Sequence, residues 1–234
     1  MAVMVGIIGM STEGLARLKL LQLVSPALPV GAYAYSQGLE YAVECGWIDS
    51  ATSTAAWVEG VLAEGLAHLE LPILLRLYRA LQLSDCEGVQ YWNDYLLASR
   101  ETRELLLEDT QLGAALRRLL MQLDIATLPL LEGMTELSFC TAFALAGAEA
   151  GIDERALLEG FAYSWLENQV QAATKIVPLG QTAGQKLIVA AMPVIITAVE
   201  RALSLDDEAV GSSLTGVAMA SSWHESQYSR LFRS

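Results

Sequence analysis

Two histidines, His68 and His224, are the whole imidazole supply of this 234-residue chain. A nitrogen-rich metal site needs several such groups from one subunit, and they are not there. His224 beside Glu225 is the sole weak metal candidate, because His68 lies two residues from Glu70 and so points to a different helix face. Cys45, Cys86 and Cys140 are widely spaced without a CxxC. They suggest neither a disulfide framework nor a thiolate site, and read as reduced core cysteines of a cytoplasmic protein. No GxxxxGK[ST] loop, GxSxG elbow, HExxH helix or Cys/His nucleophile pair appears, and Asp206 and Asp207 begin a DDEAV run that does not complete a DDxxD pair. The expectation is a protein without catalytic residues or a stably bound cofactor.

What remains are side chains suited to binding other proteins. The tail WHESQYSRLFRS, Trp223 to Ser234, sets Tyr228, Arg230, Leu231 and Arg233 beside His224, Glu225 and Phe232. Aromatic and arginine side chains dominate binding hot spots, so the tail reads as a docking element; a tail folded back on its own helices is the competing reading. The segment KIVPLGQTAGQ, Lys175 to Gln185, places Gly180 and Gly184 four apart, spacing that would let another backbone approach one helix face. Gln181 and Gln185 repeat that spacing with amides, and Lys175 is the only charged residue between Glu167 and Lys186. Packing inside the protein is the alternative. The loop SPALPVGAYAYSQGLE, Ser25 to Glu40, brings Tyr33 and Tyr35 close together, either on the protein's own core or toward a partner. The stretch Arg100 to Glu104, RETRE, reads as solvated ion pairs at a helix start.

The elements that carry these groups are helical. Trp57, Val61, Leu66, Leu69, Ile73, Leu77 and Leu81 recur at three- to five-residue steps, predicting one helix over 54–83 that Pro72 kinks or splits. Further helices are expected over 87–98 and 103–123, from Pro129, from an Asp153 cap to Lys175, from Pro178, and after an Asp206 or Asp207 cap. Ser36 is a plausible cap for a short helix stopped by Gly46. The apolar run 187–199, interrupted by Pro193, is too short for a bilayer and reads as a buried helix. Alternating strands and hairpin turns are missing. The expected fold is all-α, a single-domain bundle of about eight to ten helices over 20–222, preceded by a flexible extension, 1–19, and followed by the tail, 223–234. MAVMVGIIGM lacks the basic start of a signal peptide and belongs to that extension.

Composition agrees with a binding role. Apolar residues make up 53% of the chain, more than a monomer of this size usually buries, which points to protein interfaces and an aggregation-prone isolated chain. A formal charge of −13 repels phosphate backbones and anionic lipid heads, arguing against nucleic acid and membrane partners.

Four segments, in order, resemble the UreF family of urease accessory proteins: LLQLVSPALPVGAYAYSQGLE at the start, ASRETRELLLEDTQLG in the centre, KIVPLGQTAGQ, and HESQYSRLFRS at the end. The resemblance runs from about Leu20 to Ser234. Ala32 stands where many members have a second glycine after Gly31, and Tyr35 where many have histidine. It implies an all-helical homodimer that binds UreD, also called UreH, and the GTPase UreG on apo-urease, with nickel as cargo. On that footing Lys175, Gly180, Gln181, Gly184 and Gln185 are expected to face the GTPase. Tyr228, Arg230, Leu231 and Arg233 are expected to order when the complex forms. Two other readings stand beside it: a generic helical scaffold, and a helical-bundle enzyme acting on an apolar small molecule, which would need a pocket with converging polar groups.

Overall fold

The computed structural model describes residues 12–123 and 133–234, among which there are ten α-helices and no strand. They are α1 (Thr12–Leu23), α2 (Leu39–Glu44), α3 (Ala51–Gly60), α4 (Glu70–Gln82), α5 (Cys86–Ala98), α6 (Arg103–Gln122), α7 (Phe139–Ala150), α8 (Glu154–Ile176), α9 (Gln181–Ser204) and α10 (Thr215–His224). The all-α bundle expected from the sequence is the fold found. Half of the starts are written locally: Asp85, Thr102, Ser138 and Asp153 each accept a first-turn N–H, and Ser50 with Ser53 forms a reciprocal capping box.

Packing is centred on α7, whose residues from Cys140 to Gly147 are all buried, with α4, α6 and α8 against it. Such a helix must be apolar on nearly every side, and CTAFALAG is, with its one polar side chain, Thr141, donating to Asn93 at 2.9 Å. Gly113 lets α6 meet the chain entering α7: a Cβ there would lie 2.0 Å from the Leu137 carbonyl oxygen. A second, smaller core joins Leu39, Ala42, Ile48, Ala172, Ala173, Val177, Ala220 and Phe232, tying α2, α8, α10 and the tail together.

The structure corrects several expectations. The single helix over 54–83 is three pieces: α3, a π-helical segment Val61–Leu66, and α4. The break falls at Leu69 (φ −123°, ψ −73°), so Pro72 sits in the first turn of α4, where a missing N–H orphans no carbonyl. Within the π turn Gly65 lies against Leu214, and a Cβ there would come within 2.9 Å of it. Pro178 opens no helix; α9 starts three residues later, with Gly180 at its cap. Asp206 precedes a 3-10 turn, Asp207–Ala209, and α10 begins only at Thr215. Gly38, not Ser36, caps α2. The helix expected from Pro129 falls outside the described residues, and α7 begins at Phe139 behind its Ser138 cap.

α9 is not the buried helix expected: Val189, Met192 and Ile196 face outward, while Gly184, Ile188, Ala191 and Ile195 pack inward. With 24 residues it is long and apolar enough to cross a membrane by length and composition alone, yet it packs along α8, α3 and α4. Cys45 and Cys86 are exposed at helix ends, and only Cys140 is a core cysteine. Residues 12–19, read as extension, belong to α1, which lies against α7 and α8; residues 1–11 are outside the described part.

Candidate interaction site at the C-terminal tail

The tail is folded back onto the bundle, so its order comes from within the chain, contrary to the expectation that it forms only with a partner. The cause is a row of buried carboxylates. Glu40, at the start of α2, accepts the backbone N–H of Leu231 at 2.7 Å and of Phe232 at 2.9 Å. Glu104, in the first turn of α6, accepts from Arg230 at 3.0 Å. Glu108, one turn further along α6, accepts from the Ser234 hydroxyl at 2.9 Å. The Ser234 carbonyl takes the Ser36 N–H at 2.8 Å and also its hydroxyl, and the Arg233 N–H reaches the Ala34 carbonyl at 2.8 Å. Phe232 fills the second core, with the Lys175 ammonium 5.3 Å from its ring centre.

RETRE is therefore only half a solvated charge run: Glu101 and Arg103 are exposed, while Arg100 and Glu104 are turned into the protein. Arg100 bonds Glu70 at 2.5 Å and Asp109 at 2.8 Å, all three largely buried. Burial alone would favour neutral guanidine, but Asp109 and Glu70 outweigh it and hold Arg100 more firmly protonated than usual. Burial also raises the Cys140 thiol, helped by Asp109 and Glu70. Burial pushes Glu108 up to about 7, against hydrogen bonds from Gln37 and Ser234 that favour its charged form.

Gln37, left-handed at φ 54°, donates to Glu108 at 2.9 Å and accepts from the Trp165 indole at 2.7 Å. A cleft of about 120 Å³ opens beside it, lined by Tyr33, Gln37, Glu108, Phe161 and Trp165 among others. The small-molecule enzyme reading needs polar groups free to converge on a ligand. Here Arg100 is committed to Glu70 and Asp109, and Glu108 to Gln37 and Ser234.

The residues singled out from sequence fall into two sets. Tyr33, Lys175, Gln181, Gln185, Glu225, Tyr228, Arg230, Leu231 and Arg233 are exposed, and Tyr228 stands clear of the protein. Tyr35, Gly184 and His224 are buried inside the chain. Tyr35 donates to Gln111 at 2.6 Å. Gly184 packs on Thr174 and Val170 of α8, so the close approach it permits is internal, and Gly180 lies outside the helix whose face it was expected to share. His224 has Glu104 on Nδ1 at 2.7 Å and Glu40 on Nε2 at 3.2 Å, leaving neither nitrogen open to a metal. Among the described residues no group of three or more His, Cys, Asp or Glu is arranged to hold an ion.

Gln37, Glu40, Glu104 and Glu108 were missed as site residues, although all lie inside the motifs quoted above. Acidic residues at the start of otherwise apolar helices were the available signal.

Known proteins agree on the family. A family model described as UreF matches residues 48–192. Proteins named urease accessory protein UreF are similar along nearly the whole chain. The one from Teredinibacter turnerae is 57% identical over 219 residues, 93% of this chain and 98% of its own. Those from Chromohalobacter salexigens and Psychrobacter cryohalolentis are each 49% identical, covering 95% and 96% of this chain and 96% and 97% of theirs. With a family model over more than half its length and such relatives over nearly all of it, the chain belongs to the UreF family of urease accessory proteins.

Proposed function

We propose that this chain is a non-catalytic adaptor in the cytoplasmic maturation of urease, a homodimer that joins UreD (UreH) and the GTPase UreG on apo-urease while nickel passes through the complex as cargo. The observation that carries the reading is the tail. Its backbone at Leu231 and Phe232 is fixed by the buried Glu40 carboxylate and Arg230 is pinned to Glu104, while the side chains of Tyr228, Leu231 and Arg233 are turned outward. Exposed aromatic and arginine groups on an ordered frame lose little entropy on binding, which is what a docking surface requires. Lys175, Gln181 and Gln185, exposed near the α8–α9 corner, are assigned to UreG. The formal charge of −13 speaks against nucleic acid or membrane as a partner.

Point substitutions test this better than truncation, which would uncover the core that Phe232 fills. Tyr228→Ala with Leu231→Ala is expected to leave the protein folded and to reduce co-purification of UreD at least tenfold from cells carrying the urease operon. Gln181→Ala with Gln185→Ala should do the same for UreG. Capture of both partners at wild-type levels by both variants would refute the assignment. Arg230 is held by Glu104, so Arg233→Ala is the variant with which to ask whether the adaptor also alters GTP hydrolysis by UreG.

A further inference from the structure

The two histidines sit in opposite hydrogen-bonding settings. His68 Nε2 faces the Arg201 Nε–H at 3.3 Å, and because arginine can only donate, that nitrogen must accept. His224, fully buried, faces a carboxylate oxygen from each ring nitrogen: Glu104 Oε2 on Nδ1 and Glu40 Oε2 on Nε2. Ionised carboxylates only accept. A neutral ring has one N–H and one lone pair, so one of the two contacts would set a lone pair against an oxygen. A proton on a carboxyl is the alternative, but the other bonds oppose it. Both oxygens of Glu40 already accept tail N–H groups, and the free oxygen of Glu104 already accepts from Arg230.

We propose that His224 is a proton-operated latch: with hydrogen on both ring nitrogens it bridges Glu40 and Glu104, and the pair then holds residues 230–232 against α2 and α6. Loss of one ring proton leaves a buried carboxylate facing a lone pair, and a buried charge without its partner is relieved by opening to water. The segment that opens is the one hung on those carboxylates. The charged and titratable groups around the ring are Glu40 from α2, Glu104 from α6 with Glu108 one turn along, and Arg230 from the tail through Glu104. Lys175 of α8 reaches the Phe232 ring, not the imidazole. A 2.7 Å hydroxyl bond between Thr102 of α6 and Ser221 of α10 keeps the imidazole in register when the tail leaves. The inference stands independently of any partner.

The test uses the full chain labelled in its histidine rings, where two residues give two assignable signals. Nitrogen shifts are followed from pH 5 to 10 alongside protection factors for the Leu231 and Phe232 amides. With the tail docked, the His224 ring should show hydrogen on both nitrogens. As that ring loses its proton, protection at both amides should fall at least tenfold in the same step, while amides of α7 stay protected. His224→Gln should produce the open tail at every pH. A neutral His224 ring coexisting with protected Leu231 and Phe232 amides overturns the latch. So does amide protection that ignores the ring's titration. If His224→Gln does not fold, the wild-type titration alone decides.

Discussion

Glu108 is a carboxylate whose ordinary ionisation the fold opposes. Burial raises its folded value to about 7 from a reference of 4.5, so the native state binds a proton that the unfolded chain releases between those limits. This group's contribution to stability is therefore full below pH 4.5 and is lost as pH climbs toward 7, by about 3 kcal/mol for a shift of that size. Urea unfolding across pH 5 to 8 should show that fall, and Glu108→Gln should flatten it and be the more stable protein above pH 7. A wild-type curve that rises over this window would refute the assignment. At this scale the sequence was only partly legible. The tail was recognised, but the bonds that fix it join His224 to residues 120 and 184 positions away. Carboxylates at helix starts look alike in a string whether they end up in water or under a tail. Arg100 and Glu104 were misread as solvated for that reason.

Among the elements, helices announced by a polar cap before an apolar stripe were legible to within a residue or two: α5, α6 and α8 all have their caps in the sequence. Those set by packing were not. Nothing local distinguishes the π turn at Val61–Leu66 from a continuous helix, and its Gly65 packs on Leu214, about 150 residues on. Gly38 is the sharpest case. It caps α2 at φ 81°, and a Cβ there would come 2.9 Å from the Ser221 nitrogen of α10. Gly46 shares the left-handed backbone at φ 79° but has nothing within 4 Å. Gly46→Ala should therefore cost only the backbone strain, about 1 kcal/mol. Gly38→Ala should cost about 2 kcal/mol more, because α10 must also move. Equal urea midpoints for the two variants would refute the close seating of α10 on Gly38.

For the whole molecule, the surplus of apolar residues was legible and its location was not. Val189, Met192 and Ile196 place part of it on the outer face of α9, while Leu18 and Leu21 place more on α1. The proposed homodimer can be tested at the first of these faces. Light scattering should give about twice 25.3 kDa for the wild type and 25.3 kDa for Val189→Glu with Ile196→Glu. A double variant that keeps the wild-type mass places the dimer contact elsewhere. The buried carboxylates also bear on how much of the formal −13 charge moves in an electric field. Below pH 7 the Glu108 side chain is held neutral, so replacing it by glutamine removes an acid from the formula without removing one from the folded particle. In native electrophoresis at pH 6 the two proteins should co-migrate. At pH 8.5 the variant should lag by a single charge, so that a substitution silent in one buffer becomes a visible rung in the other.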